Sequence, residues 1–337
     1  MKDKLLALLK LAISLGLIAY VFTRPTILEA DWGNILANLR IWPWLLALTI
    51  YSFAIGVNVL KWQTLLHTLG IAVPYSSLFR HNLVGLFFAN LPLSMVGGDI
   101  ARGWDLARNT PERSAQVAVS VLVDRLVGLA AFLAAAVLGM AYAVVGLGRA
   151  DLTWLLMTLS AILLAFVLAF AVLMSQHLRR LAERAFRLGL LHRFLPLYQK
   201  LSASVQLYRT HASSLLIAFG LGMSTVVATC VVNYLAAVTV GAASPLVWAL
   251  VLTPLTPFAL YIPSIASGLG VNQAVFVVLY HNLAGLIPEA SALALSLVMQ
   301  VIIYIASLPG AVLWWRRRDP NPNHLTQLHL HQPDELL

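Results

Sequence analysis

Apolar runs of about 20 residues alternate with short polar joints along most of this chain. A helix needs about 20 residues to cross the roughly 30 Å hydrocarbon core of a bilayer. The pattern predicts crossing helices at about 5–23, 42–60, 115–147, 152–175, 212–238 and 291–315. Two further apolar segments, about 78–100 and 246–287, are interrupted by proline, glycine and polar residues. Broken backbone leaves amides and carbonyls unpaired, which a bilayer tolerates only where the break is buried in protein or lines a cavity. Each interrupted segment therefore reads as a re-entrant hairpin that enters and leaves on one side. The expected fold is all-α: a polytopic integral membrane protein with six crossing helices and two re-entrant hairpins.

The two breaks share a spacing. In the first, Pro92 is followed five positions later by Gly97, then Gly98, Asp99 and Arg102. In the second, Pro263 is followed five positions later by Gly268, then Gly270, Asn272 and Gln273. Paired interruptions in two halves of a membrane chain point to a transporter's binding site.

Composition agrees with a membrane assignment. Hydrophobic residues make up 60% of 337 positions and charged residues 10%, against about 25% charged in a soluble domain. Mean hydropathy is +0.85. The chain reads as a single transmembrane domain over 1–318, followed by a disordered cytoplasmic tail over 319–337. The apolar run after Lys4 is too long for a signal peptide and lacks a small-residue cleavage site, so a retained first helix is expected. Cys230 is the sole cysteine, which excludes an intrachain disulfide and a cysteine-based metal site.

The net charge of +9 reads as topology rather than nucleic-acid binding, because Lys and Arg concentrate on the cytoplasmic side of membrane proteins. With a cytoplasmic N-terminus, the inner side receives Lys2, Lys4, Lys10, Lys61, Arg80, Arg102, Arg108, Arg113, the seven basic residues from Arg179 to Arg209, and Arg316 to Arg318. Arg24, Arg40 and Arg149 fall outside, and Arg125 lies within a helix. This layout places both termini in the cytoplasm and the chain in the cell (inner) membrane. It also requires the first hairpin to open inward and the second outward, as an inverted-topology repeat would. His81–Leu86 and His281–Leu286 nearly match, but one precedes its break and the other follows, so they are not equivalent.

Four segments carry candidate chemistry. The first is Asn90, Pro92, Gly97, Gly98, Asp99 and Arg102. Pro92 ends a helix, the glycines allow close approach of a ligand, and Asp99 and Arg102 share a face at i, i+3 spacing. A helix starting here would aim its amides and positive dipole into the break. The Arg102 fork suits phosphate oxygens. The alternative is that Asp99 and Arg102 merely cap a helix in a cytoplasmic loop. The second segment is Asp124 and Arg125, about ten residues, or roughly 15 Å, into a crossing helix. Ionisable groups at that depth are costly and face the protein interior. Sequence neighbours do not face each other on a helix, so each needs a partner elsewhere. Asp99 and Arg102 are the natural candidates, whether the pairing serves function or packing.

The third segment offers Pro263, Ser264, Gly268, Gly270, Asn272 and Gln273: uncharged amides and a hydroxyl at a broken helix, able to bind a polar headgroup or sugar or to form only a filled kink. The fourth is the basic segment 176–211, whose leucines recur at helical spacing and suit an amphipathic helix on anionic lipid. Trp42, Trp44, Trp62, Trp154, Trp314 and Trp315 lie near predicted helix ends, as interfacial belt residues do. No Walker A motif, zinc signature or serine elbow is present. No cofactor, metal or enzymatic activity is expected.

FFANLPLSMVGGDIARGWDLAR, SVLVDRLVGL and YIPSIASGLGVNQAVF resemble the flippase-like family built on the lysylphosphatidylglycerol synthase transmembrane region, over roughly residues 5–315. The resemblance implies a polytopic fold with re-entrant helices and movement of lipids between leaflets. It marks Gly97, Gly98, Asp99, Arg102, Asp124, Arg125 and the Gly268–Gln273 stretch as motif residues. Bifunctional members of that family continue into a soluble aminoacyltransferase domain; no such activity is expected of this chain. The late motif usually carries an acidic residue where Gln273 stands, which argues against a role there for negative charge.

The expected function is a flippase or transporter for a phospholipid or lipid-linked sugar, with its headgroup at the two paired breaks. The partners expected are membrane lipids, chiefly anionic phospholipid or lipid-linked sugar, with no nucleic acid and with homo-oligomers left open. The competing expectations are an integral membrane transferase using a lipid-linked donor, and a secondary transporter of a small anion.

Overall fold

The computed structural model describes residue 16 and residues 23–90, 95–174, 206–242, 244–259 and 270–318. Among these the secondary structure is helical throughout, with no strand. After two short helical turns, Pro25–Leu28 and Trp32–Ala37, come α1 (Ile41–Thr68), α2 (Tyr75–Ala89), α3 (Met95–Asn109), α4 (Ser114–Val145) and α5 (Thr153–Met174). Then follow α6 (Ala212–Thr239), α7 (Leu246–Leu252, continued by turns to Ala259), α8 (Val271–Phe276, continued as a π-helix to Leu283) and α9 (Glu289–Arg318).

Among the described residues, five helical stretches are long and apolar enough to cross a membrane: Ile41–Thr68, Pro111–Val145, Ala150–Leu173, Ala212–Thr239 and Glu289–Arg316. They coincide with five of the six expected crossings; the expected helix at 5–23 falls almost wholly outside the described residues. Two boundaries are corrected: the first interrupted segment, expected over about 78–100, has arms over Tyr75–Ala89 and Met95–Asn109. The expected crossing at 42–60 continues to Thr68, so Lys61 and Trp62 lie inside a helix and not at its cytoplasmic end.

Burial orders the bundle. The apolar window of α9 is 56% buried and that of α5 only 6%, so α9 is central and α5 peripheral. The α1 and α6 helices form the most extensive helix pair. They run antiparallel: Arg40 N donates to Thr239 O at one end, and the Tyr208 hydroxyl to Leu65 O at the other.

The interrupted segments form two helical hairpins. The α2 and α3 arms have 15 residues each, or roughly 22 Å at 1.5 Å per residue, short of the ~30 Å needed to span. They pack antiparallel at glycine. A Cβ on Gly98 would stand 2.6 Å from Gly85 O and 2.6 Å from Ala89 Cβ, so only hydrogen fits. Small residues at such crossings let membrane helices approach closely. The same device seats α9 on α2, where a Cβ on Gly310 would fall 2.0 Å from Leu83 O.

Loop contacts fix which end each hairpin opens to. The α1–α2 joint meets the start of α4 through Arg113 donating to Gly70 O. At the opposite end, Arg149 donates to Leu283 O at 2.8 Å and Ala284 O at 3.2 Å. Arg24 pairs with Glu289 at that end too, at 2.9 Å. The first hairpin therefore opens toward one end of the bundle and the second toward the other, as the charge pattern requires. His81 and His281 also have different surroundings: His81 Nδ1 meets Asp105 at 2.6 Å, and His281 Nδ1 meets Ile287 O at 3.0 Å.

Candidate functional site

A buried charge cluster stands where α1, α3 and α4 meet. The Arg102 guanidinium bonds Asp124 Oδ2 through Nη2 at 2.8 Å. It also bonds Asp99 Oδ1, through Nη2 at 2.9 Å and Nε at 3.1 Å. Asp99 offers its other oxygen to Arg125. Lys61 meets Asp124 Oδ1 at 3.2 Å and the Asp124 carbonyl at 3.3 Å. Each ionisable neighbour on α4 thus pairs away from the other, with the two groups on α3 that the sequence singled out.

Geometry separates these residues into two kinds. The side chains of Asp124, Lys61 and Arg102 are only 3%, 6% and 7% exposed, whereas Asp99 and Arg125 are each 25% exposed. A cation removed from water this far is costly unless compensated, and the compensation is visible. Trp62, fully buried, lies beneath Arg102 with the guanidinium carbon 4.8 Å from the ring centroid. Its indole N–H donates to Ser120 Oγ at 3.0 Å, which fixes the ring. Arg102 Nη1 reaches Asn82 Oδ1 only at 3.5 Å. A guanidinium carries five N–H donors, so this edge retains donor capacity.

A cavity of about 380 Å³ opens beside the cluster. The first hairpin contributes Asn82, Gly85, Gly98, Asp99 and Arg102; the second contributes Thr256, Pro257, Asn272 and Phe276. The two broken segments thus reach one space, closed by α1, α6 and α9. A second, larger hollow of about 730 Å³ runs between α3 and α4, from Ala107 and Ser114 to Asp99 and Arg125. Its walls are almost entirely apolar, and Ile100 and Trp104 on its rim are 62% and 67% exposed. Asp99 lines both spaces.

The site differs in part from the sequence expectation. Gly98, Asp99, Arg102 and Asn272 line the cavity, and Arg125 lines the groove. Asp124 lies behind Arg102 and lines neither. Gly97 is half-buried at the start of α3. Asn90 ends α2, its Nδ2 buried without a hydrogen-bond partner. Gly270, at φ 87°, starts α8, and its N–H donates to Gln273 Oε1 at 2.7 Å. Gln273 is therefore a buried helix cap and is not among the residues that line the cavity. The alternative of a loop cap for Asp99 and Arg102 fails too, because Arg102 is buried between helices. Pro92, Pro263, Ser264 and Gly268 lie outside the described residues, as does most of the basic segment 176–211.

Two expectations fail for one reason. Lys61 was counted among cytoplasmic charges and Trp62 among interfacial tryptophans, yet both are buried at the cluster. The signal available was a lone lysine in an otherwise apolar helix, which placing the helix end at residue 60 concealed. Trp42, Trp154 and Trp315 are 78%, 60% and 70% exposed, as belt residues should be. Asn233 and Gln300 also line the cavity; as isolated amides on apolar helices they carried no pattern to single them out.

Family comparison bears on the whole chain. No curated protein matches it, and no solved structure does. The family model for the lysylphosphatidylglycerol synthase transmembrane region matches residues 7–310. With five helices long and apolar enough to cross a membrane among the described residues, two opposed hairpins and a match over nearly its full length, this multi-pass membrane protein belongs to the lysylphosphatidylglycerol synthase transmembrane-region family.

Proposed function

We propose that the protein is not an enzyme but a carrier that moves a phosphate-bearing lipid between leaflets, with the headgroup in the cavity between the two hairpins. The observation that carries this reading is Asp99, which lines at once the cavity between the two hairpins and the apolar groove between α3 and α4. A lipid needs both: an interior path for its headgroup and a lateral opening that leaves its tails in the bilayer. A small soluble anion needs no such groove.

The chemistry follows from Asp99's two arginines. Its carboxylate bridges Arg102 and Arg125, a place that suits any planar or tetrahedral oxyanion. A lipid phosphate arriving through the groove would take over Arg125 and the outward edge of Arg102. Asp124 and Lys61 would keep Arg102 in position throughout. The five groups Lys61, Arg102, Arg125, Asp99 and Asp124 carry a net charge of +1, which one phosphodiester neutralises. The proposed orientation has both termini in the cytoplasm, so the first hairpin opens inward.

The test is transbilayer movement of fluorescent phospholipids in proteoliposomes, comparing wild type with Arg102→Ala and Arg125→Ala. A charge-assisted hydrogen bond contributes about 1.5–3 kcal/mol, and 1.4 kcal/mol is tenfold. Each variant should therefore slow movement by roughly 10- to 100-fold. Unchanged rates in both variants, for every lipid tried, would overturn the mechanism. Uptake of free phosphate or another small anion, with no lipid movement, would favour a solute carrier.

A further inference from the structure

Apart from Asp99 and Arg102, the lining of the cavity carries no charge. Its uncharged polar residues include Thr225, Thr229 and Asn233 of α6, Asn272 of α8, and Ser296 and Gln300 of α9. Their local hydrogen bonds determine what remains for a ligand. Thr225, Thr229 and Ser296 donate their hydroxyl protons to helix carbonyls, at 3.0, 2.8 and 2.7 Å. Each hydroxyl oxygen is left as an acceptor. Asn233 also donates to its own helix, at 3.2 Å to Thr229 O, while its Oδ1 is buried without a partner. Asn272 donates to Gln300 Oε1 at a long 3.5 Å. Gln300 Nε2 has no partner in hydrogen-bonding geometry, with only a looser interaction with Tyr304 one turn on. Asn233 is 2% exposed and Gln300 5%. An unmatched polar atom at that depth costs about 1–3 kcal/mol, and Asn233 Oδ1 is one, on a residue that lines the cavity beside Gln300.

An uncharged wall with acceptors and donors together complements hydroxyl groups, each of which both donates and accepts. It does not complement an ammonium group, which only donates and which burial favours only beside an anion. The Asp99 carboxylate at the cavity stays paired with Arg102 through Nη2 and Nε even when a phosphate takes over Arg125. A volume of about 380 Å³ falls at the small end of ligand pockets, enough for one compact headgroup.

We propose that the cavity selects lipids whose phosphate carries a neutral, hydroxyl-rich group, a polyol or a sugar, with Asn233 and Gln300 reading the hydroxyls. This rests on the lipid-carrier reading and adds the headgroup class to it. Arg102 holds the phosphate on one side while the amide wall binds the hydroxyls on the other. The selection disfavours aminated headgroups.

The experiment uses the full chain in proteoliposomes containing trace lipids with one fluorescent acyl chain and different heads: phosphoglycerol, phosphoinositol, phosphoethanolamine and phosphocholine. A prenyl-phosphate sugar forms a fifth arm, and separates a polyol phospholipid from a lipid-linked sugar as the source of the hydroxyls. Wild type should move at least one hydroxylated head tenfold faster than the ethanolamine and choline lipids. Gln300→Leu and Asn233→Leu should each slow the hydroxylated heads at least fivefold relative to the ethanolamine lipid, erasing most of that preference. Gln300→Glu, which keeps the side-chain shape and adds a negative charge, should shift preference toward ethanolamine; it keeps the test decisive if the leucine variants fold poorly. Movement of lipids without headgroup preference, or an equal slowing of every lipid by all three variants, overturns the headgroup inference and leaves the carrier reading standing. No movement of any lipid by wild type overturns both.

Discussion

Two adjacent residues on α4 do different work, and the difference is one of solvent. Asp124 is locked between Lys61 and Arg102 with almost no exposure, while Arg125 faces the groove at 25%. Removing one partner from a buried ion pair costs about 3–5 kcal/mol, because a charge is left without compensation. Asp124→Asn should therefore lower the thermal unfolding midpoint in detergent by many degrees, and bring transport down with it. Arg125→Gln should leave the melting midpoint nearly in place and still slow lipid movement tenfold or more. Equal melting losses in the two variants would mean that Arg125 is structural. Which residues were charged and deep was readable along the chain. Which of them stayed accessible was not, because exposure depends on neighbours far away in sequence.

At the level of the elements, the decisive contacts are backbone against backbone. The first hairpin closes only because Gly85 and Gly98 carry no Cβ, and α9 lies against α2 only because of Gly310. Overpacking at such crossings costs about 1–3 kcal/mol. Gly98→Ala and Gly310→Ala should each reduce thermal stability, and Gly98→Ala should also slow transport by spreading the arms that shape the cavity. Gly220→Ala is the control: a Cβ there meets nothing within 4 Å, so stability should be unchanged. Melting curves on the three proteins decide this. The hairpins themselves were legible, since proline and glycine interrupt apolar runs too short to span as separate helices. The end of α1 was not. Lys61, Trp62 and Gln63 look like an interface in a linear reading, and only the facing carboxylate of Asp124 and the surface of Arg102 make room for them inside.

For the whole molecule, the informative property is that the hairpins open toward opposite ends and meet in one cavity. Alternating access needs only that one hairpin loosen while the other stays closed, which fits the inverted arrangement of transporter halves. The orientation can be checked with single cysteines in a Cys230→Ser background. Asn109→Cys, at the α3–α4 joint, and Leu147→Cys, at the α4–α5 joint, should react with a membrane-impermeant thiol reagent from opposite sides. Asn109 should label only in inside-out vesicles and Leu147 only in intact cells. Labelling of both from one side would break the proposed topology, and with it the opposed hairpins.

Hydropathy, interruption and charge asymmetry are properties of neighbouring residues, and the bilayer imposes them segment by segment. The sequence by itself therefore determined that the chain is a polytopic membrane protein, that two of its segments are broken, and that Asp99, Arg102, Asp124 and Arg125 are a connected set. Tertiary structure decided what no local pattern encodes. It placed Lys61 and Trp62 in the cluster, made Gln273 a helix cap, and brought Asn233 and Gln300 to one cavity with Arg102. It also made Asp99 a shared wall of the cavity and of the apolar groove between α3 and α4. Those assignments depend on which helix faces which, and that is settled by close packing at a few glycines, not by the polarity of any residue on its own.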